Sequence, residues 1–269
     1  MTKPFNLPAV ESAIATTRFT THLHHLASTP STSDLALSAA RAGTQHGVWI
    51  ADEQTAGRGR GGHTWHSALG DGLYVSVLLT TPIPISNGPA LSFAIAVAAQ
   101  SAIAKVTGLE PRKQIDIRWP NDLILTTPRG PRKCGGILIE TAASDTTLRF
   151  AVLGIGINCN HLSFPPELEA LATSLRRESP DPTEPISREA LLAALLLTLD
   201  REIGSWASPT APTRDPAHFS SWVRGKPVHV AEADGYPGVT AGLTPDGYLK
   251  VTLSDGSTRT VRHGGVREL

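Results

Sequence analysis

From Glu53 to Trp65 the chain reads E-Q-T-A-G-R-G-R-G-G-H-T-W, directly after the apolar run 48–51 and shortly before a second strand-like run, L-Y-V-S-V-L-L-T at 73–80. A glycine-rich stretch between two strands has both ends tied to a sheet, so its geometry is held by the core rather than left to a free tail. Glycines let the backbone approach a ligand and turn N–H groups toward it. Arg58 and Arg60 add forked, permanently charged donors matched to carboxylate or phosphate. The segment reads as an anion cradle built onto a strand end.

The rest of the chain supplies the sheet such a loop needs. Residues 31–41 offer Ser, Thr and Asp caps ahead of an alanine- and leucine-rich helix that Gly43 stops. A long apolar helix is expected over 89–106; its apolar stretch, 90–104, reads as a buried helix too short to span a bilayer. Short strands at 116–119 and 123–125 flank a Pro120-Asn121-Asp122 turn, and further strands are expected at 134–141 and 148–157. Residues 162–186 shift to proline and charge, an irregular connection over the surface, before Ser187 caps an apolar helix. Past the proline-rich stretch 208–216 come four short strands parted by Asp-Gly and Pro-Asp-Gly turns. The expected fold is α+β, a mixed β-sheet packed with helices over residues 1–216 followed by a small β-barrel over 217–269.

At 269 residues, with 24 basic and 24 acidic side chains, the chain has no overall charge to coat a nucleic acid or a membrane surface. Cys134 and Cys159 cannot make a disulfide framework, and the start lacks the pattern of a signal peptide, which points to the cytoplasm. Cys134 reads as a buried packing residue rather than a nucleophile, and no metal ligand is assigned to His22, His24 and His25.

Gly57, Gly59 and Gly62 satisfy G-x-G-x-x-G, but a dinucleotide fold requires a helix straight after the third glycine, and here H-T-W-H-S follows. A Walker loop lacks its G-K-[S/T], and arginine-glycine RNA boxes are repeated where this one is single. Three more clusters sit beside expected strand ends: Arg118-Trp119-Pro120-Asn121-Asp122, Arg132-Lys133-Cys134-Gly135-Gly136, and Gly154-x-Gly156-x-Asn158. Each alone is a good turn or a solvated charge. Together they repeat one composition, glycines with Arg, Lys, Asn or Asp.

The order Q-x-A-G-R-G-R, R-W-P-N-D, R-K-x-G-G-I-L-x-E, G-x-G-x-N closely resembles the biotin–protein ligases, from Ser31-Thr32 through the C-terminal strands, with Ala172-Thr173-Ser174-Leu175 as a further family-like string. The resemblance implies a class II synthetase-like mixed sheet with helices on one face, then an SH3-like barrel. It implies a two-step reaction: biotin and ATP, as its Mg2+ complex, give biotinyl-5′-AMP, and a lysine of a biotin carboxyl carrier protein then takes the biotinyl group. By similarity Arg60, Lys133 and Asp122 are catalytic. Ser31, Thr32, Ser33, Gln54, Gly57, Arg58, Gly59, Arg60, Lys133 and Gly136 would bind biotin, with Gly57 and Gly59 lending backbone N–H groups and Arg58 ordering the loop or touching biotin. Arg60, Trp65, Asn121, Asp122, Lys133 and Asn158 would bind ATP. Ser33 stands where the family has asparagine, His63 where a strongly basic residue is common, and Arg118 where lysine is usual.

Both partners of the first step are anions, so contact between them needs fixed cations and donors oriented before the reaction begins. The 30 residues ahead of Ser31 are too few for a winged helix, so a ligase without operator binding is expected, as a monomer or weak homodimer with no nucleic-acid or membrane partner. A lipoate or octanoate transferase is the competing enzyme reading, set apart by the G-R-G-R and W-P-N-D pairing.

Overall fold

The computed structural model describes residues 4–80, 83–84, 88–144, 147–206, 215–232, 234–262 and 265–269. Most of the proline-rich stretch expected to close the first domain lies outside them. An eight-stranded sheet forms the centre, in the order β1 (Leu23–Leu26), β2 (Gly47–Ala51), β3 (Gly72–Leu79), β8 (Thr147–Asn158), β7 (Gly130–Ser144), β6 (Asp122–Thr127), β5 (Ile115–Arg118), with β4 (Ile83–Pro84) paired to β8. All pairs are antiparallel except β1 with β2, which makes the sheet mixed as expected.

Every residue of β3 is buried, which an apolar run achieves only when both faces of its sheet are covered. One face packs against α3 (Gly88–Thr107) and α5 (Arg188–Trp206) through Val75, Val77, Ile155 and Ile157. The other carries α2 (Thr32–Arg41), whose Ala36 meets Trp49, Leu78 and Val152. Helices therefore lie on both faces, not on one. The short α2 covers only the β2, β3 and β8 part of its face, and the uncovered remainder holds the site.

Helix starts follow the local signals unevenly. Ser187 Oγ accepts from the Ala190 N–H at 3.1 Å and caps α5, whereas Ser31 occupies the N-cap of α2 without a side-chain capping bond. At 20 residues α3 is longer than the sequence reading allowed, and by length and composition alone it could cross a membrane. Here it is packed into the core, with Gln100 donating to the Ile115 and Phe219 carbonyls at 3.0 Å each. The 162–186 connection also differs from a simple surface loop. It forms α4 (Pro166–Glu169) and then buries Thr173, Ser174 and Leu175 completely.

Two N-terminal elements, α1 (Leu7–Ala13) and β1, carry no expectation because L-H-H-L is too short and polar to show a period. Beyond a short 3-10 turn at Pro216–His218, the tail forms a five-stranded antiparallel sheet: β9 (Arg224–Val230), β10 (Tyr236–Leu243), β11 (Leu249–Thr252), β12 (Thr258–Val261) and β13 (Val266–Glu268), ordered β12-β11-β10-β9-β13. Four strands were expected, and β13 is the addition. Val228, Val230, Leu249 and Val251 belong to the same apolar core cluster as the buried residues of α3 and α5.

Leu195 on α5 is fully buried there. Leu195→Ala should lower the unfolding free energy by about 2–5 kcal/mol, read as a lower urea midpoint at unchanged m-value.

Candidate functional site

Cross-strand register builds the floor of the site. Ser76, Gly154 and Leu138 stand opposite one another across β3, β8 and β7, and the next row down the strands is Tyr74, Gly156, Gly136 and Asp122. Where the rows carry glycine, no side chain rises from the strands themselves. A cavity of about 260 Å³ opens over them, lined by Ser31, Thr32, Ser33, Gln54, Arg58, Gly59, Arg60, Trp65, Asn121, Asp122, Lys133 and Gly136 among others. Of the residues expected to bind biotin only Gly57 does not line this cavity. A Cβ there would fall 2.5 Å from the Trp65 carbonyl, so that glycine serves the tightness of the loop.

One end of the cavity is closed by neutral polar groups. The Gln54 carboxamide oxygen accepts from Thr32 N–H at 2.9 Å and Thr32 Oγ1 at 3.1 Å, while its nitrogen donates to Ser67 Oγ at 3.0 Å. Ser76 Oγ lies 2.8 Å from Thr32 Oγ1 and 3.0 Å from Ser33 Oγ. Ser76 was not foreseen, because a serine within an apolar strand carries no local mark of function. A run of hydroxyls can turn either donors or lone pairs toward a ligand, which suits a head with both N–H and C=O groups.

The other end is charged. Asp122 opens β6, with Oδ1 at 2.7 Å from Lys133 Nζ and Oδ2 at 2.6 Å from Arg118 Nη2. Burial would push this carboxyl up, but Lys133 and Arg118 outweigh it and hold it below the usual carboxylate range. Between Leu123 and Ile124 the register with β7 slips so that Cys134 is the extra residue beside Lys133. Lys133 thus lies inside a long strand rather than at its start, at a bulge that breaks the alternation. Cys134 is buried, and burial pushes its thiol up, consistent with packing.

The loop's two arginines have different fates. Arg58 makes a fork to both Glu140 oxygens, at 2.9 and 2.8 Å, and Nη2 also lies 2.8 Å from Asp34 Oδ1. It staples the loop to α2 and β7. Arg60 reaches over the site, donating to Asn121 Oδ1 at 3.1 Å, and burial lowers its pKa against the opposing pull of Asp122. The Asn121 nitrogen donates to the Ile137 carbonyl at 2.7 Å, so its side chain is braced on both sides. The Gly59 N–H, expected to face the ligand, donates instead to the His63 carbonyl at 2.7 Å within the loop.

Trp65 lies across the glycines: Cβ atoms at Gly156 and Gly136 would come within 2.5 and 3.3 Å of its ring. Lys133 Nζ sits 5.4 Å from the ring centroid, and the buried Nε1 has no hydrogen-bond partner among the described residues. Beyond Trp65 a second cavity of about 320 Å³ shares Thr64, Trp65, Asp122 and Lys133 with the first and adds His66, Asn158, Phe164, Leu171 and Ala172. Asn158 lines this second cavity and not the first, and donates to the Thr173 carbonyl at 3.1 Å. His161, 1% exposed, stacks on Phe164 at 4.9 Å and supports that wall. His63 and Arg58 line the first cavity, and Arg118, committed to Asp122, lines the second.

The mixed sheet thus carries a polar-ended cavity lined by Arg60 and Lys133 and, sharing Lys133 with it, a second cavity beyond Trp65. Residues 26–158 match the Biotin/lipoate A/B protein ligase family. A biotin--[acetyl-CoA-carboxylase] ligase of Mycobacterium tuberculosis is 30% identical over 241 residues, 87% of this chain and 84% of that protein. The bifunctional ligase/repressor BirA of Bacillus spizizenii is 39% identical over 154 residues, and the match spans 56% of this chain but only 44% of that protein's length. The structure of the biotin protein ligase from Aquifex aeolicus in complex with biotin and ATP superposes with a TM-score of 0.74 at 23% identity, over 93% of this chain and all of that one, a likeness of fold. The chain belongs to the biotin/lipoate A/B protein ligase family.

Burial lowers the His161 pKa from 6.5 to about 4, with His66 adding to the effect. Between those values the unfolded chain binds a proton that the folded one refuses, so this contribution is complete above pH 6.5 and is lost progressively as pH falls toward 4. His161→Phe, which keeps the stack, should lack that component when unfolding free energy is measured by urea titration from pH 7.5 to 4.5.

Proposed function

We propose that the chain is an ATP-dependent biotin–protein ligase that forms biotinyl-5′-AMP and transfers biotin to a lysine of a biotin carboxyl carrier protein. The observation that carries the reading is the convergence of Arg60 and Lys133 on the first cavity, Arg60 bonded to Asn121 and Lys133 to Asp122, with Lys133 lining the second cavity as well. Biotin has a ureido head on a bicycle and a carboxylate at the end of a chain. The Thr32, Ser33, Gln54 and Ser76 end suits the head, which directs the carboxylate toward the cations.

In the first step a biotin carboxylate oxygen attacks the α-phosphorus of ATP, the bond to the β-phosphate oxygen breaks, and pyrophosphate leaves. Arg60 and Lys133 would offset the repulsion between the anions and hold the charge gathered on the α-phosphate, with Asp122 fixing the ammonium. The base would lie in the second cavity beside Asn158 and Trp65, and Mg2+ would enter with the phosphates. In the second step the carrier lysine's amine attacks the acyl carbon and AMP leaves. An adenylate would lie along the glycine floor beside the Trp65 indole, whose cover would limit the access of water.

The five-stranded tail is read as an SH3-like barrel and as a second domain over 217–269. Its support is the order of those strands, in which the fifth pairs with the first and the first four follow in turn, and two register shifts in β10 that let one strand bend between two layers. The neutral charge balance offers no nucleic-acid footprint, and a cytoplasmic monomer or weak homodimer without repressor activity is the reading kept.

Purified protein with biotin, ATP, Mg2+ and a biotin carrier domain should transfer biotin, detected by blotting, and should catalyse biotin-dependent pyrophosphate exchange. Lys133→Ala should slow exchange by about 100-fold or more at an unchanged circular dichroism spectrum. Wild-type exchange in that variant defeats the role given to Lys133, and exchange driven by octanoate or lipoate instead of biotin defeats the substrate assignment.

A further inference from the structure

The catalytic turn is held from outside its own sheet. β5 is the sheet's edge strand, and its free side is closed by residues 219–221. Ser220 Oγ donates to the Ile117 carbonyl at 2.7 Å, and the Asp116 carboxylate accepts from Ser221 Oγ at 2.5 Å and Ser221 N at 3.1 Å. One residue past β5, the Trp119 indole is 5% exposed and donates Nε1 to the Gly247 carbonyl at 2.9 Å, in the turn between β10 and β11. That turn is itself seated against the start of α3. Gly247 has φ +87, and a Cβ there would fall 2.4 Å from the Ala90 nitrogen. Glycine alone fits between Trp119 and α3. Next along the chain the Pro120 carbonyl accepts from Ser92 Oγ, then Asn121 meets Arg60 and Asp122 meets Lys133.

We propose that Trp119 is a positioning residue. Its bond to the Gly247 carbonyl lets the C-terminal sheet hold the 119–122 turn, and through Asn121 and Asp122 the two cations, in the geometry of the first step. The inference rests on the ligase reading above. Loss of the bond leaves a buried carbonyl without its donor and frees the turn to drift, and a drift near 1 Å at reacting groups costs on the order of 100-fold in rate. The polar end of the first cavity is built by α2, β3 and the 54–67 segment, whose bonds run among themselves. Head recognition should therefore survive when the turn is loosened. A residue needed only for packing would not separate the two.

The test compares wild type, Trp119→Phe, which keeps an aromatic ring and removes the donor, and Gly247→Ala, which acts from the partner side. Readouts are the kcat of biotin-dependent pyrophosphate exchange and the Kd, by calorimetry without ATP, for biotinol, which keeps the head of biotin and has an alcohol in place of the carboxylate, with folding checked by circular dichroism. Both single variants should lose roughly 10- to 100-fold in kcat, keep the biotinol Kd within about twofold of wild type, and lose little more when combined, as residues sharing one interaction do. Unchanged kcat in a folded Trp119→Phe protein, or parallel loss of kcat and biotinol affinity in both variants, overturns the inference while leaving the ligase reading in place. Wild-type protein with no exchange activity overturns both.

Discussion

One carboxylate organises the charged half of the site. Asp122 takes Lys133 on one oxygen and Arg118 on the other, and it can do so because the first residue of β6 faces a glycine, Gly136, across the ladder. Asp122 is mostly enclosed while Lys133 and Arg118 keep about a third of their side chains in solvent, so loss of one cation leaves the carboxylate its other, partly screened partner. The two cations keep the carboxyl ionised against its burial, and the carboxylate in turn keeps the Lys133 ammonium at the joint between two cavities. Arg60 reaches the same turn through Asn121. The proposed chemistry needs these groups placed before the anions arrive, and strand register supplies that placement.

Much of this was legible because it is local. A glycine-arginine run between strands, a Pro-Asn-Asp turn, a serine ahead of an apolar helix and a lysine beside two glycines each declare themselves within a few residues. Four clusters with one composition then implied one site, and the structure brings residues of all four around two adjoining cavities. What stayed hidden depends on partners distant in sequence. Nothing near Arg58 announces that Glu140, 82 positions away, and Asp34 would bind it, although a glutamate inside the apolar strand 134–141 was a readable oddity. Ser76 looks like any small residue in a buried strand until the register sets it between Thr32 and Ser33. The Gly59 N–H was assigned to a ligand, yet a bond within the loop claims it, because a tight turn satisfies its own backbone first.

The same division explains the fold-level differences. Periodicity finds long elements such as α3 and α5, but β1 takes its place only through pairing with β2, and the burial of 173–175 follows from bonds to Asn158 and Lys133. The second helix face went unforeseen for a related reason. Complete burial of β3 requires cover on both sides, whereas the sequence shows only that the strand is apolar.

The glycine floor has a further consequence for how such a chain can change. Gly136, Gly154 and Gly156 form a floor without side chains of its own beneath Trp65 and Ser33, which mutation can fill but cannot re-letter. New preferences must arise at the walls, through Ser33, Ser76 or the 57–65 loop, while the platform beneath stays constant. A lineage could therefore swap the cargo it holds and leave its central scaffold untouched.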